Sequence, residues 1–365
     1  LEQKQEVDFI IVGQGLAGTL LSYFLMLENQ RVVVLDYPHA GRTTSIAAGL
    51  INPVTGRRIA KSWRFEALAA FAKQTYQRLE EQLNIPLWLE WSIVRALHNN
   101  FEVNEWLRRS AFPEFSNYLQ DGPDPQNFDE RLRQPFGWGE LRGCAQVALP
   151  ALVEKWRVRL QQQNTYFIED FDYDQLTTVG EKVVYKAWSA RKIVFCEGAR
   201  AVANPFFKDL PFLPTKGELM LVKIPGPAFG KIVKHNIFLI PLGGDLYWAG
   251  ATSRYEYEGA SPSAYGKQWL TDELGKSLKV PFEVVSHEAG IRPTVSDVRP
   301  FLGVHHDHPS VGIFNGLGTK GALLAPFFAK QLTDFLLGNG KLDEEVDIVR
   351  FERKELKGHF FTKQD

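Results

Sequence analysis

Apolar residues along this chain come in distinct rhythms, and each rhythm predicts a different element. Phe9, Ile10, Ile11 and Val12 form an unbroken apolar run, which suits a central strand covered on both faces. A glycine turn follows, then a helix over roughly Leu16 to Glu28 and a second unbroken run, Val32 to Leu35. Between Trp63 and Leu83 the period changes. Phe65, Leu68, Ala69, Ala72, Tyr76 and Leu79 recur at helical spacing and define the apolar stripe of an amphipathic helix. Trp88 to Leu97 reads as a strand. Gly41 to Arg58 is small, polar and turn-forming rather than strand-like, and Phe112 to Arg133, rich in Pro, Asp, Asn and Gln, reads as a surface excursion.

Pro150 opens a helix from Ala151 to about Gln162, a position where its missing N–H costs nothing. Tyr166 to Phe171, Lys182 to Trp188 and Lys192 to Phe195 read as short strands. Lys216 to Ile224, Ile237 to Pro241, Leu246 to Ala251 and Phe282 to Ala289 then suggest a mostly antiparallel sheet, with a helix near Pro262 to Ser277. Gly312 to Leu337 ends the pattern with a strand, the turn N-G-L-G-T-K-G and an apolar helix. This alternation predicts an α/β fold with an α+β insert. A nucleotide-binding domain is expected from residues 1–86, 150–212 and 290–365, and a substrate-binding domain from 87–149 and 213–289, with a ligand in the crevice where they meet.

The stretch that organises the rest is Asp8 to Gly18, D-F-I-I-V-G-Q-G-L-A-G. Gly13, Gly15 and Gly18 keep the spacing in which the first glycine permits a tight turn, the second admits a diphosphate to the backbone, and the third lets the helix pack closely on the strand. Leu16 and Ala17 start that helix, whose free N–H groups and positive end face the anion. Asp36 ends the second strand, where a carboxylate accepts hydrogen bonds from ribose hydroxyls and disfavours a 2′-phosphate. NAD or FAD is therefore expected rather than NADP.

At 365 residues, 44% hydrophobic and 23% charged with a net charge of −1, the composition is that of an ordinary globular protein with room for two domains. No apolar run reaches membrane-spanning length, and L-E-Q-K-Q-E-V-D holds no apolar signal region, so a cytoplasmic location is expected. Cys144 and Cys196 are too few for a disulfide framework or a cysteine-rich metal site. Near-neutral charge argues against a strongly nucleic-acid-binding surface, although Arg57, Arg58, Lys61 and Arg64 could engage phosphates. His235, His287, His305, His306 and His308 have no metal-type spacing and read as loop or surface residues.

D-F-I-I-V-G-Q-G-L-A-G, S-I-A-A-G-L-I-N-P, I-V-F-C-E-G-A, K-G-E-L, W-A-G-A-T, A-G-I-R-P-T-V-S-D-V-R-P-F-L-G and G-L-G-T-K-G-A-L-L-A-P spread over most of the chain. Together they resemble the D-amino-acid oxidase family of flavoproteins, which includes glycine oxidase and sarcosine oxidase. The resemblance implies a Rossmann-type FAD-binding domain of the glutathione-reductase-like kind, an interleaved substrate domain, and FAD between them. Attachment is expected to be non-covalent, because no cysteine lies near Arg292. By the same resemblance Gly13, Gly15, Leu16, Ala17 and Gly18 would hold the diphosphate and Asp36 the adenosine ribose. Arg42, Thr43, Ser45, Ala48, Gly49 and Leu50 would line the flavin, and Gly198 and Gly290 fall in matching motifs on the cofactor side. Gly316, Gly318, Thr319, Lys320 and Gly321 sit where the family brings backbone N–H groups and a helix N-terminus to the pyrimidine end of the ring. Positive potential there suits the charge that reduced flavin carries near N1 and C2=O, and the Lys320 ammonium would raise the reduction potential. A solvated surface lysine is the alternative for Lys320.

Arg292, in the G-x-R-P motif, would pair with the substrate carboxylate, a planar anion that a guanidinium fork suits. A structural ion pair with Asp297 is the other reading. Phe238 and Thr252 complete the expected substrate site, and Phe238 stands where glycine oxidase has a tyrosine. The implied activity is FAD-dependent oxidation of the C–N bond of an amino acid or secondary amine, with Arg292 and Lys320 as catalytic residues. Hydride passes from the alpha carbon to flavin N5, the imine hydrolyses, and oxygen or another acceptor reoxidises the flavin. The terminal turn is also similar to that of the FAD domain in the bifunctional enzyme that remodels carboxymethylaminomethyl groups on the tRNA wobble uridine. Oxidation of that tRNA side chain is thus an alternative, and a flavin-binding protein without turnover is another.

Overall fold

The computed structural model describes residues 4–56, 58–123 and 128–351, and every structural statement below concerns those residues. Arg57 of the basic cluster, residues 124–127 of the polar excursion and the end of the 290–365 segment lie outside them. By contact the chain divides into two compact units: Leu1–Thr44, Leu152–Pro214 and Arg292–Asp365 in the first, Ser45–Ala151 and Thr215–Ile291 in the second.

In the first unit, parallel strands run in the order Tyr166–Ile168, Val32–Asp36, Gln5–Val12, Trp188–Phe195 and Val311–Asn315. Antiparallel additions are Lys182–Tyr185 and Leu176–Val179 beyond Trp188–Phe195, and Phe301–Val304 on Val311–Asn315. Ile10, Ile11, Val34 and Ile313 are fully buried, as unbroken apolar runs require; each such side chain contributes about 1.5–3 kcal/mol relative to exposure. Helix Leu16–Leu27 is buried from Leu16 to Leu25 and packs against helix Gly321–Leu336. Helix Leu149–Gln162 is pinned to it by the Trp156 indole, which donates to Ser22 Oγ at 2.8 Å.

The second unit holds a sheet in the order Glu283–Arg292, Thr215–Lys223, Leu246–Gly250, Phe238–Gly243, Ile232–Lys234, Trp88–Leu97, Gly137–Val147 and Leu50–Ile51, with Leu119–Asp121 also on Gly137–Val147. Ile232–Lys234 and Trp88–Leu97 run parallel. One face packs Val94, Met220, Leu239 and Tyr247 against Leu270 and Leu274 of helix Ala264–Ser277. The other face gathers Ile93, Leu97, Ile232 and Ile240 with Trp106, Phe115 and Val54.

Two local readings change. Gly41 to Arg58 is not free of strand, since Leu50–Ile51 pairs with Gly137–Val147 and Val54–Thr55 pairs with Ala60–Lys61. Pairs this short carry no alternation for a sequence pattern to show. The excursion from Phe112 to Arg133 contains helix Pro113–Ser116 and strand Leu119–Asp121, with Phe115 and Leu119 buried. Residues 45–86, expected with the nucleotide-binding segments, cluster with the second unit. Helix Phe65–Leu83 explains this in part, because Tyr76 is fully buried and stacks on Trp88 with ring centroids 6.3 Å apart. No helix is long and apolar enough to cross a membrane.

Candidate functional site

The glycine turn after Gln5–Val12 is dictated by space. Gly13 has φ +97, and a Cβ there would stand 2.6 Å from Cys196 O; a Cβ on Gly18 would stand 1.9 Å from Gly13 O. Neither position admits a side chain. Gly15 differs, because its Cβ would meet only Thr44 Oγ1 at 3.5 Å. It keeps one side of the turn open at the N-terminus of helix Leu16–Leu27, whose N-cap residue, Gly15, has no side chain to cap it. That combination fits a diphosphate. Ala17 and Leu16 are buried in the same first turn, and the Leu16 N–H donates to Thr44 Oγ1 at 3.3 Å.

Asp36, 4% exposed, lies across the strand ends from this turn. Its carboxylate accepts the Gln14 N–H at 2.9 Å and the Tyr166 hydroxyl at 3.0 Å, and it pairs with the Arg42 guanidinium. Burial alone would raise its pKa, but Arg42, the Gln14 N–H and Tyr166 outweigh burial and hold it below the ordinary carboxylate value. Tyr166 is pushed up to about 12, by burial first and by Asp36 second. Arg42, expected along the flavin, is thus placed on the Asp36 carboxylate. Gln14 is buried and fully used: its amide donates to Thr19 Oγ1 and Val153 O, and its side-chain oxygen accepts from Arg157 Nε.

Gly198 and Gly316 meet through Asn315, whose Nδ2 donates to Gly198 O at 3.0 Å while its Oδ1 accepts the Gly316 N–H at 2.8 Å. Gly316 and Gly318 both have positive φ. Gly318 N–H reaches Pro293 O at 3.3 Å, so the segment carrying Arg292 lies against the glycine turn. Lys320 is the N-cap of helix Gly321–Leu336 and half-buried, and Gly321 lies close enough to Leu16 that a Cβ would stand 3.2 Å from it. Burial, then the charge of Arg299, lowers the Lys320 pKa, which is not the behaviour of a freely solvated lysine. Thr319 is exposed between them. Burial likewise lowers the pKa of Arg292. Asp297 is engaged elsewhere, with Arg350 Nε at 2.9 Å.

In the second unit, Gly49 has φ +67 and a Cβ there would stand 1.9 Å from Val147 O. Ala48, Leu50, Phe238 and Trp248 belong to one apolar cluster, and the Trp248 indole donates to Ile46 O at 3.0 Å. Ser45 and Thr43 flank the unit boundary, while Gly290 is buried within strand Glu283–Arg292. Thr252 is buried, and its hydroxyl oxygen accepts the Glu218 N–H at 2.8 Å, so it ties the segment after strand Leu246–Gly250 to strand Thr215–Lys223. Of the basic cluster, Lys61 pairs with Glu66 at 2.5 Å and Arg64 lies over Trp63. His235 is buried, with a pKa lowered to about 4 chiefly by desolvation.

Sequence reasoning missed Tyr166, Gln14 and Thr44. Tyr166 begins a strand whose pairing with Val32–Asp36 is non-local, and no spacing rule announces it.

The FAD dependent oxidoreductase (DAO) family model matches residues 8–335. The glycine oxidase of Bacillus subtilis (strain 168) is 24% identical, over 96% of this chain and 99% of its own, and that of Pseudomonas aeruginosa is 23% identical over 90% and 94%. Among solved structures, glycine oxidase from Geobacillus kaustophilus has a TM-score of 0.78 at 21% identity, covering 93% of this chain and 97% of its own. Iminodiacetate oxidase from Chelativorans sp. BNC1 has a TM-score of 0.73 at 20% identity, covering 92% and 97%. These likenesses show that the fold, a largely parallel sheet in one unit and a largely antiparallel one in the other, is shared with those structures. With the family model spanning most of its length and a glycine turn shaped for a diphosphate, the chain belongs to the FAD dependent oxidoreductase (DAO) family of amino-acid and amine oxidases.

Proposed function

We propose that the protein oxidises the C–N bond of an amino acid or secondary amine, with FAD held non-covalently and the substrate carboxylate anchored by Arg292. The observation that carries this reading is the setting of Arg292. It is a half-buried cation at the end of strand Glu283–Arg292, followed by Pro293, whose carbonyl accepts the Gly318 N–H of the glycine turn. That bond holds the backbone after Arg292 against the glycine turn, and a guanidinium offers a planar fork to a carboxylate. The relatives named glycine oxidase and the fold neighbour named iminodiacetate oxidase support an amine bearing a carboxylate.

Bound FAD supplies a two-electron acceptor. The chain's own residues bind and orient. Arg292 fixes the carboxylate and thereby the alpha carbon, and the substrate nitrogen enters as the free amine. Lys320 and the N-terminus of helix Gly321–Leu336 supply positive potential beside the glycine turn. Loss of a hydride from the alpha carbon and a proton from nitrogen leaves an imine, which water converts to a carbonyl compound and a free amine. Orientation and exclusion of water account for most of the catalysis, so no dedicated base is required.

The test is anaerobic loss of the flavin's visible absorbance on adding glycine, sarcosine, D-amino acids, proline, or a carboxymethylaminomethyl-uridine nucleoside or tRNA. Bleaching by a free amino acid or amine is expected. Losing one partner of a desolvated charge pair costs about 2–5 kcal/mol, so Arg292→Ala should lower kcat/KM by roughly 30-fold or more. Bleaching by the modified nucleoside or tRNA alone would move the assignment to RNA modification. No bleaching by any of them would overturn this reading and leave a flavoprotein with another substrate or with none.

A further inference from the structure

Glu197 is an acid to which the amine-oxidation reading gives no task. It follows strand Trp188–Phe195 in the motif I-V-F-C-E-G-A, where the chain runs against the glycine turn of the first unit. The Cys196 N–H donates to Val12 O at 2.7 Å. A Cβ on Gly13 would stand 2.6 Å from Cys196 O and 3.3 Å from the Glu197 Cα. Backbone this close makes Glu197 part of the wall of the turn. It precedes the 3₁₀ helix Gly198–Ala203, but its side chain caps none of that helix's N–H groups.

Neutral partners hold the carboxylate instead. Oε1 accepts the Tyr173 hydroxyl at 2.5 Å, and Oε2 accepts from Asn204 Nδ2 at 2.8 Å. Asn204 is fully buried and its Oδ1 accepts the Phe206 N–H at 2.9 Å, which fixes Nδ2 as the donor. Among the described residues, no cation forms an ion pair with Glu197. The charge of Arg200 reaches it, but that guanidinium is paired with Asp170 at 2.7 Å. Burial pushes the Glu197 pKa above the ordinary carboxylate value, and Tyr173, Asn204 and Arg200 offset this only in part. The remaining titratable neighbour is the buried Cys196 thiol, itself pushed up by burial and then by Glu197. The contact with Tyr173 suits either protonation state, because a hydroxyl donates to a carboxylate and accepts from a carboxylic acid. A diphosphate in the turn adds like charge beside a poorly solvated acid, and like charge favours its neutral form.

We propose that Glu197 is a proton-linked part of the FAD site: it is carried as the neutral acid when the diphosphate occupies the glycine turn and ionises when the turn is empty, so that FAD binding takes up a proton. This rests on the reading of that turn as the diphosphate site. The affinity for FAD accordingly falls as pH rises, since binding then requires a proton that the free protein has given up.

For the test, FAD-loaded protein is dialysed against graded FAD between about pH 5 and about pH 8, a range above the ordinary carboxylate value, and the bound fraction is read from flavin absorbance. The wild-type Kd should rise about tenfold or more across that range, the effect of a shift of about one pKa unit on binding. Glu197→Gln, which keeps the shape of the neutral acid, should hold the low-pH Kd throughout. A contribution from His39, near Asp36 in sequence, would persist in that variant, so the comparison isolates Glu197. Infrared spectra supply a second readout: the loaded wild type should show a protonated-carboxyl band that shifts in D2O and is missing in Glu197→Gln. Arg200→Met, at an exposed side chain, removes a charge that favours ionisation and should move the rise in Kd to higher pH; it stands in should Glu197→Gln not fold. A flat wild-type profile, equal pH dependence in wild type and Glu197→Gln, absence of the carboxyl band, or a rise unmoved in Arg200→Met would overturn the proposal. No FAD binding at any pH would overturn the diphosphate reading and the proposal with it.

Discussion

Asp36 keeps its charge under burial because Arg42, Gln14 and Tyr166 all reach it. Its lowered pKa gives the linkage a definite sign. A carboxylate whose folded value lies below its unfolded value near 3.9 contributes stability that is full above that value and is lost as pH falls through the folded one. Acid unfolding below about pH 4 should therefore be steeper in the wild type than in Asp36→Asn, as followed by circular dichroism. Tyr166→Phe removes one donor, worth about 1 kcal/mol, and should raise the Kd for FAD roughly fivefold in a flavin-fluorescence titration; an unchanged Kd would show the hydroxyl to be idle. The glycines separate stability from binding. Gly18→Ala drives a Cβ into Gly13 O and should destabilise the FAD-free protein by about 3 kcal/mol or more. Gly15→Ala should leave the melting of that protein almost unchanged and weaken FAD binding, because its Cβ enters the open side of the turn. The three glycines and Asp36 were legible in sequence because strand, turn, helix and acid follow one another locally. Tyr166 was not, since a donor arriving from 130 positions away leaves no mark near its acceptor.

At the level of elements, helix Ala264–Ser277 shows how a cap can serve the core. Ser263 Oγ accepts the Gly266 N–H at 3.0 Å and donates to Glu218 Oε1 at 2.7 Å, and the Ser263 N–H donates to Glu218 Oε2. Glu218 is 2% exposed and also faces Lys216 and His287. An ordinary cap is worth about 1 kcal/mol. Ser263→Ala should cost more, about 2–3 kcal/mol in urea unfolding, because a buried carboxylate loses a donor as well. A cost confined to the cap would show that Glu218 finds another partner. Long periodic elements such as Phe65–Leu83 and Trp88–Leu97 were readable from their apolar spacing. Leu50–Ile51 was not, because Gly49 and two paired residues fix it through backbone contacts with Val147 and Ala145, which impose little on side-chain pattern.

For the molecule as a whole, FAD should act as a folding ligand. A cofactor that binds only the native state adds about 2.7 kcal/mol at a free concentration of 100 Kd, so the melting temperature of FAD-free protein should climb with added FAD and not with NADP. Absence of any shift would contradict the diphosphate site. The interleaving of the two units has a further consequence, which concerns synthesis. Trp188–Phe195 leaves the ribosome well before its parallel neighbour Val311–Asn315, on the order of ten seconds earlier at ordinary elongation rates. Throughout that interval the nascent first unit lacks a strand and exposes an apolar sheet edge while the second unit is still being made. No contiguous fragment of the gene encodes either unit complete, so a truncation ending near Ile291 should aggregate or recruit chaperones instead of yielding half a working protein.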